Sequence, residues 1–146
     1  MNFTDTDMAP ILLIICFPVL WIFVSWLLSH MGGWATLSRH YSANEDVPKN
    51  MWKNWKSISI QRIVLIPANY SNIVKMVADD DALYLSVFVL FRIGHSTLKL
   101  PYNEMTAETK TVLFWTTTKI KMKKAQNVQL TFQEKDVKFI IEKIDA

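Results

Sequence analysis

Apolar and polar positions divide this chain into two regimes. Between residues 8 and 38 there is no Asp, Glu, Lys or Arg. Within that stretch residues 11–28 are apolar on every helical face rather than along one stripe, which a soluble fold of this size has nowhere to bury. At 1.5 Å per residue, residues 11–31 make a helix of roughly 30 Å, the thickness of a bilayer's hydrocarbon core. The pattern predicts a short tail over 1–10 and a transmembrane helix over 11–31. Pro10 falls at the helix start, where a missing N–H is tolerated, and Pro18 predicts a kink inside the span.

Gly32 and Gly33 end the span. Trp34, Leu37 and Tyr41 then recur at helical spacing, which predicts a short interfacial helix with Trp26, Trp34 and Tyr41 at headgroup level. Residues 42–54 read as a polar linker around Pro48, so 32–56 is juxtamembrane. From residue 57 the pattern becomes extended. Residues 57–66 are rich in Ile and stop at Pro67. Residues 69–72, Asn-Tyr-Ser-Asn, have turn chemistry, 73–78 form a short strand, and Asp79, Asp80 and Asp81 make a tight turn. Residues 82–93 read as one buried strand and 97–102 as another.

The clearest alternation comes in residues 116–124, where Thr118, Ile120 and Met122 point one way and Lys119, Lys121 and Lys123 the other. Val128, Leu130 and Phe132 alternate in the same manner. Val137, Ile140, Ile141 and Ile144 form one stripe of an amphipathic helix, with Thr131 and Glu134 at capping-box spacing. The fold class is therefore α+β. Six or seven antiparallel strands over 57–146 form a bent sheet or barrel, capped by a C-terminal helix that covers the sheet's open apolar end.

Composition narrows the chemistry. Among 146 residues there is a single Cys, Cys16, inside the span, so neither a disulfide framework nor a cysteine metal site can form. Gly33-Trp34-Ala35 has the small-residue spacing of a signal cleavage site. However, the first ten residues hold Asp5 and Asp7 without a base, and the apolar run is longer than a signal h-region. The rule that positive residues stay inside places the N-terminus outside and the C-terminal domain in the cytoplasm, because Arg39, Lys49, Lys53 and Lys56 all follow the span.

Gly33-Trp34-Ala35-Thr36-Leu37-Ser38-Arg39-His40-Tyr41 resembles the junction in a set of uncharacterised bacterial single-span membrane proteins. So do Ala82-Leu83-Tyr84-Leu85-Ser86-Val87, Phe91-Arg92-Ile93-Gly94-His95 and Leu100-Pro101-Tyr102-Asn103-Glu104-Met105. In that family Pro more often follows the His, and Trp-Ser stands where this chain has Tyr102-Asn103. The element order resembles the pleckstrin-homology-like superfold. The resemblance implies a cytoplasmic domain of that kind at the bacterial inner membrane, and it transfers no catalytic residue.

No Walker A, nucleophile-elbow or dinucleotide motif is present. His30, His40 and His95 lie in separate segments without carboxylates at ligand spacing. Asp79-Asp80-Asp81 lacks the alternate ligands and central Gly of a calcium loop. The chain is thus not read as an enzyme, and neither cofactor, metal nor nucleic acid is expected. From residue 47 onward 15 Lys and Arg face 9 Asp and Glu, so a domain tethered beside an anionic leaflet is drawn to it. Lys119, Lys121, Lys123 and Lys124 are the candidate contacts for anionic lipid or a partner, against the alternative of lysines guarding an edge strand. Residues 88–92, Phe-Val-Leu-Phe-Arg, read first as core and second as a contact for lipid or protein. The function expected is a membrane-anchored accessory module, bound to the bilayer through 11–31 and holding a membrane-protein partner or lipid headgroups. An extracytoplasmic sensory or assembly module is the alternative, and an enzyme the third class.

Overall fold

The computed structural model describes residues 5–43, 55–62 and 67–146. The expected linker around Pro48, its lysines 49 and 53, and the end of the first strand lie outside these residues. Helix α1 (Asp5–Gly32) runs unbroken through Pro10 and Pro18. Gly33, at a left-handed φ of +100°, ends it. Its side is so close to Val128 that a Cβ there would lie 3.0 Å from that side chain, so the corner needs glycine for both space and conformation.

Helix α2 (Trp34–Tyr41) follows at once. Its stripe exists, but it faces the protein core. Trp34, Leu37 and Tyr41 are buried in the main core, and the helix crosses the concave face of the sheet to touch both β4 and β7. Periodicity revealed the apolar face and not what covers it.

The sheet has seven antiparallel strands: β1 (Trp55–Arg62), β2 (Ala68–Ala78), β3 (Ala82–Val87), β4 (Leu98–Pro101), β5 (Met105–Val112), β6 (Trp115–Met122) and β7 (Ala125–Thr131). Their order is β4-β3-β2-β1-β7-β6-β5. Two local meanders are thus joined by one long-range seam, in which Ile60 stands opposite Leu130. An inner row runs Ala107, Ile120, Leu130, Ile60, Ala68 across five strands. The neighbouring outer row runs Glu108, Lys119, Thr131, Ser59, Asn69. The period-two alternation of each strand is what keeps these rows apart. Their curl makes a half-barrel, filled by α2 on its concave side.

Two sequence expectations change here. Residues 69–72 are not a turn. They lie inside β2, where Asn72 takes a positive φ of 55° and the register with β1 slips between Lys56 and Ile58. Ser57 Oγ bridges the irregularity, donating to Asn72 Oδ1 and accepting from Asn72 N–H. Turn-prone residues have made a bulge. The strand expected over 82–93 stops at Val87: its pairing ends at Leu85 with β4 and at Val87 with β2, and after the Phe88 N–H bond to the Ile73 carbonyl the chain turns away from the sheet. Residues 105–112, which carried no strand pattern of their own, form β5 against β6.

Helix α3 (Glu134–Asp145) closes the chain. It packs on the Tyr102–Glu104 turn and β5, with Val137 and Ile140 in the core and Ile141 and Ile144 half-buried. The capping box does not form. Thr131 is held in β7, the N-cap is Gln133, and no side chain caps the helix there.

Candidate functional site

Three surfaces stand out from this frame. The first surrounds the foot of α1. The residues beyond β3 leave the sheet as a single 3-10 turn, Val89–Phe91, and lie along α1. Trp21 Nε1 donates to the Leu90 carbonyl at 3.0 Å, and the Trp21 and Phe91 rings stand 5.0 Å apart. Ser29 Oγ donates to the Gly94 carbonyl. Core packing, the first expectation for this run, is met only in part by Phe91. Phe88, Val89, Leu90 and Ile93 are exposed.

Behind that loop sits a polar knot. His95 is buried, its Nδ1 3.2 Å from the Ile93 carbonyl and its Nε2 3.0 Å from the Tyr70 hydroxyl. The geometry puts the ring proton on Nδ1 and leaves Nε2 to accept from Tyr70. Burial lowers the His95 pKa from its ordinary value and pushes the Tyr70 hydroxyl well up, so both are neutral at pH 7. Trp34 packs tilted against Tyr70 and edge-on against His95, and donates its Nε1–H to the Ser96 carbonyl at 2.9 Å. The knot ties α2, β2 and the 93–96 turn together. Nothing local in the sequence marks His95 for burial.

The second surface holds the four lysines. Lys119 and Lys121 share the outer face of β6, but Lys123 and Lys124 belong to the turn into β7, because the strand ends at Met122. Lys121 is paired with Glu108 at 3.1 Å and Lys124 with Glu104 at 3.6 Å. Glu104 also accepts from the Tyr41 hydroxyl at 2.7 Å, which with Lys124 holds its carboxyl below its usual pKa. Tyr41 itself is pushed up to about 12, by burial and by that bond. The lysines are therefore set among carboxylates rather than massed as one positive face.

The third surface was not anticipated. The β5–β6 hairpin runs past the last β6–β7 pair, Lys119 with Thr131, and ends in Val112, Leu113, Phe114 and Trp115, all largely exposed, with Phe114 at 90%. Cross-strand threonine pairs, Thr109 with Thr118 and Thr111 with Thr116, stiffen its stem. Between this hairpin and the start of α3 lies a cleft of about 650 Å³, floored by Thr131 and Phe132 and walled by Trp115, Val137 and Ile141. Four consecutive apolar residues between threonines were the available signal.

Among the described residues no three of His, Cys, Asp or Glu converge as metal ligands. Comparison with protein-family descriptions, curated proteins and solved structures returned no match.

Proposed function

We propose that this is a single-pass protein of the bacterial inner membrane, whose α1 anchors a non-catalytic binding module at the cytoplasmic face. The carrying observation is α1 itself. Met8–Gly32 is long and apolar enough to cross a bilayer, and its large side chains from Ile11 to Leu20 all stand exposed. A signal peptide cut at Gly33-Trp34-Ala35 fits poorly with this fold, since it would remove Trp34 from the core and Ser29 from its contact with Gly94. The curled antiparallel sheet with its closing helix supports the pleckstrin-homology-like reading.

What the module holds is a protein partner or anionic lipid headgroups. The apolar hairpin tip and its cleft support the partner, because exposed contiguous apolar surface marks interaction sites. The pairing of Lys121 and Lys124 with carboxylates weakens the lipid arm. Membranes washed at alkaline pH should retain the chain, and Leu20→Arg with Phe23→Arg should release it, since charges at a span's centre are costly. A photo-crosslinker placed at Phe114 should then trap a protein product that one at Asp80, exposed in the turn between β2 and β3 and outside the cleft, does not. Release of the unchanged chain by the wash would end the anchoring reading, and crosslinks to lipid alone would end the partner reading.

A further inference from the structure

The apolar loop beyond β3 lies against α1 and presents its side chains to whatever surrounds that helix. We infer that residues 88–91 form a second membrane-inserted element, a wedge held against α1 inside the hydrocarbon layer. The inference rests on α1 being a bilayer span and adds that the domain itself enters the lipid.

Depth is the first argument. The loop touches α1 at Ser29 through the Gly94 carbonyl and at Trp21 through the Leu90 carbonyl. Those contacts are eight residues apart, about 12 Å along a helix. Met8–Gly32 has 25 residues, where about 20 suffice to cross. Even if the hydrocarbon began only at Leu27, Trp21 would lie six residues, roughly 9 Å, inside it. Leu90, hydrogen-bonded to Trp21, must go to the same depth.

The side chains suit that depth. Val89 and Leu90 are 61% and 59% exposed, and Phe88 and Ile93 are exposed beside them. The backbone is the stronger argument. In hydrocarbon each carbonyl needs a donor from the protein, whereas in water it does not. Here the Phe88 carbonyl accepts from Phe91 N–H, Val89 from Arg92 N–H, Leu90 from Trp21 and Arg92 from His95 N–H. The Ile93 carbonyl faces His95 Nδ1, Gly94 accepts from Ser29, and Phe88 N–H reaches the Ile73 carbonyl. Six of the seven carbonyls from Phe88 to Gly94 thus have a partner within the protein, as a hydrocarbon layer requires.

The seat on α1 is built for close approach. Trp21, Ser25 and Ser29 recur every four residues, and both serines are buried, Ser29 against Gly94. Gly94 crosses there at φ +77°, and a Cβ on it would meet Ser29 Cβ at 3.3 Å and Trp26 Cα at 3.5 Å. Arg92, exposed at the loop's return, has a stem long enough to carry its charge out to headgroup phosphates.

The test uses the full chain, with Cys16→Ser, in phosphatidylcholine vesicles containing a minority of phosphatidylglycerol. Leu90→Cys and Val89→Cys are labelled with an environment-sensitive fluorophore, with Val19→Cys as the span control and Lys138→Cys as the aqueous control. Circular dichroism of each labelled variant checks the fold. Leu90 and Val89 labels should emit to the blue, be quenched by spin labels on the lipid chains, and escape iodide, as Val19 does. Iodide quenching at both loop sites, with Val19 still protected, overturns the wedge and leaves the anchor standing. Labels protected from iodide and lipid quenchers alike would mean burial in protein, which also overturns it. Iodide quenching at Val19 sinks the anchor, and the wedge with it.

Discussion

At the scale of single residues, His95 is the group whose state the fold decides. Burial lowers its pKa in the folded chain. In the unfolded chain it titrates near 6.5. Below that value the unfolded state binds a proton that the folded state refuses, so stability rises with pH through the interval between the folded pKa and 6.5. Above 6.5 the contribution is complete. As pH falls below 6.5 it is lost, at about 1.4 kcal/mol for each pH unit over which only the unfolded chain is protonated. The melting temperature in detergent should therefore drop between pH 7 and pH 5.5, and His95→Gln should flatten that slope. Glu104, whose pKa is lowered by Tyr41 and Lys124, adds a loss of the same sign only at more acidic pH. An unchanged slope in His95→Gln would place the sensitivity elsewhere. Tyr70→Phe should cost about 1–3 kcal/mol at neutral pH, because it leaves the buried Nε2 without its donor.

Among the elements, the two short helices divide the work of closing the half-barrel. Helix α2 fills the concave side with Trp34 and Leu37, and α3 covers the end near β5 with Val137 and Ile140. Of the α3 stripe only Ile140 is fully buried, while Ile141 and Ile144 stay half-exposed. Ile140→Ala should thus cost about 2–5 kcal/mol as a large-to-small core change, and Ile141→Ala clearly less. Denaturant titration of the two variants in the same detergent measures the difference, and equal costs would refute the packing described for α3. Elements with strong local periodicity were legible: the uninterrupted apolar run of α1, the lysine alternation of β6 and the stripe of α3. What escaped depended on partners distant in sequence. The 82–93 run ends its strand where β2 and β4 stop pairing, and its remainder goes to α1. Asn72 became a bulge because β1 continues alongside it. β5 has little apolar alternation of its own and is drawn into the sheet by β6. The hairpin tip and the knot around His95, which make up most of the candidate site, carry no motif, so only their placement in three dimensions brings them out.

For the whole molecule, the side of the membrane on which the domain sits decides what it can bind. α1 and the domain are in direct contact through Trp21 and Ser29, so the proposed anchoring of α1 would hold the domain at the bilayer surface. For the proposed anchor, charge argues for one side. Before the span lie Asp5 and Asp7 and no Lys or Arg, whereas Arg39 and 15 further Lys and Arg follow it, and basic residues close to a span resist translocation. With 11 acidic residues in the same stretch the balance stays positive, which favours an anionic inner leaflet over the outer face. Lys138 on α3 is 74% exposed and so can report the side. In a Cys16→Ser background, Lys138→Cys should react with a membrane-impermeant maleimide only after bacterial cells are broken open. A cysteine introduced near the N-terminus, at Thr4, should react in cells whose inner membrane is intact. The reverse pattern would put the domain outside and transfer the hairpin tip's partner to that compartment. Reaction at both sites in intact cells would mean that charge does not fix the orientation of this anchor.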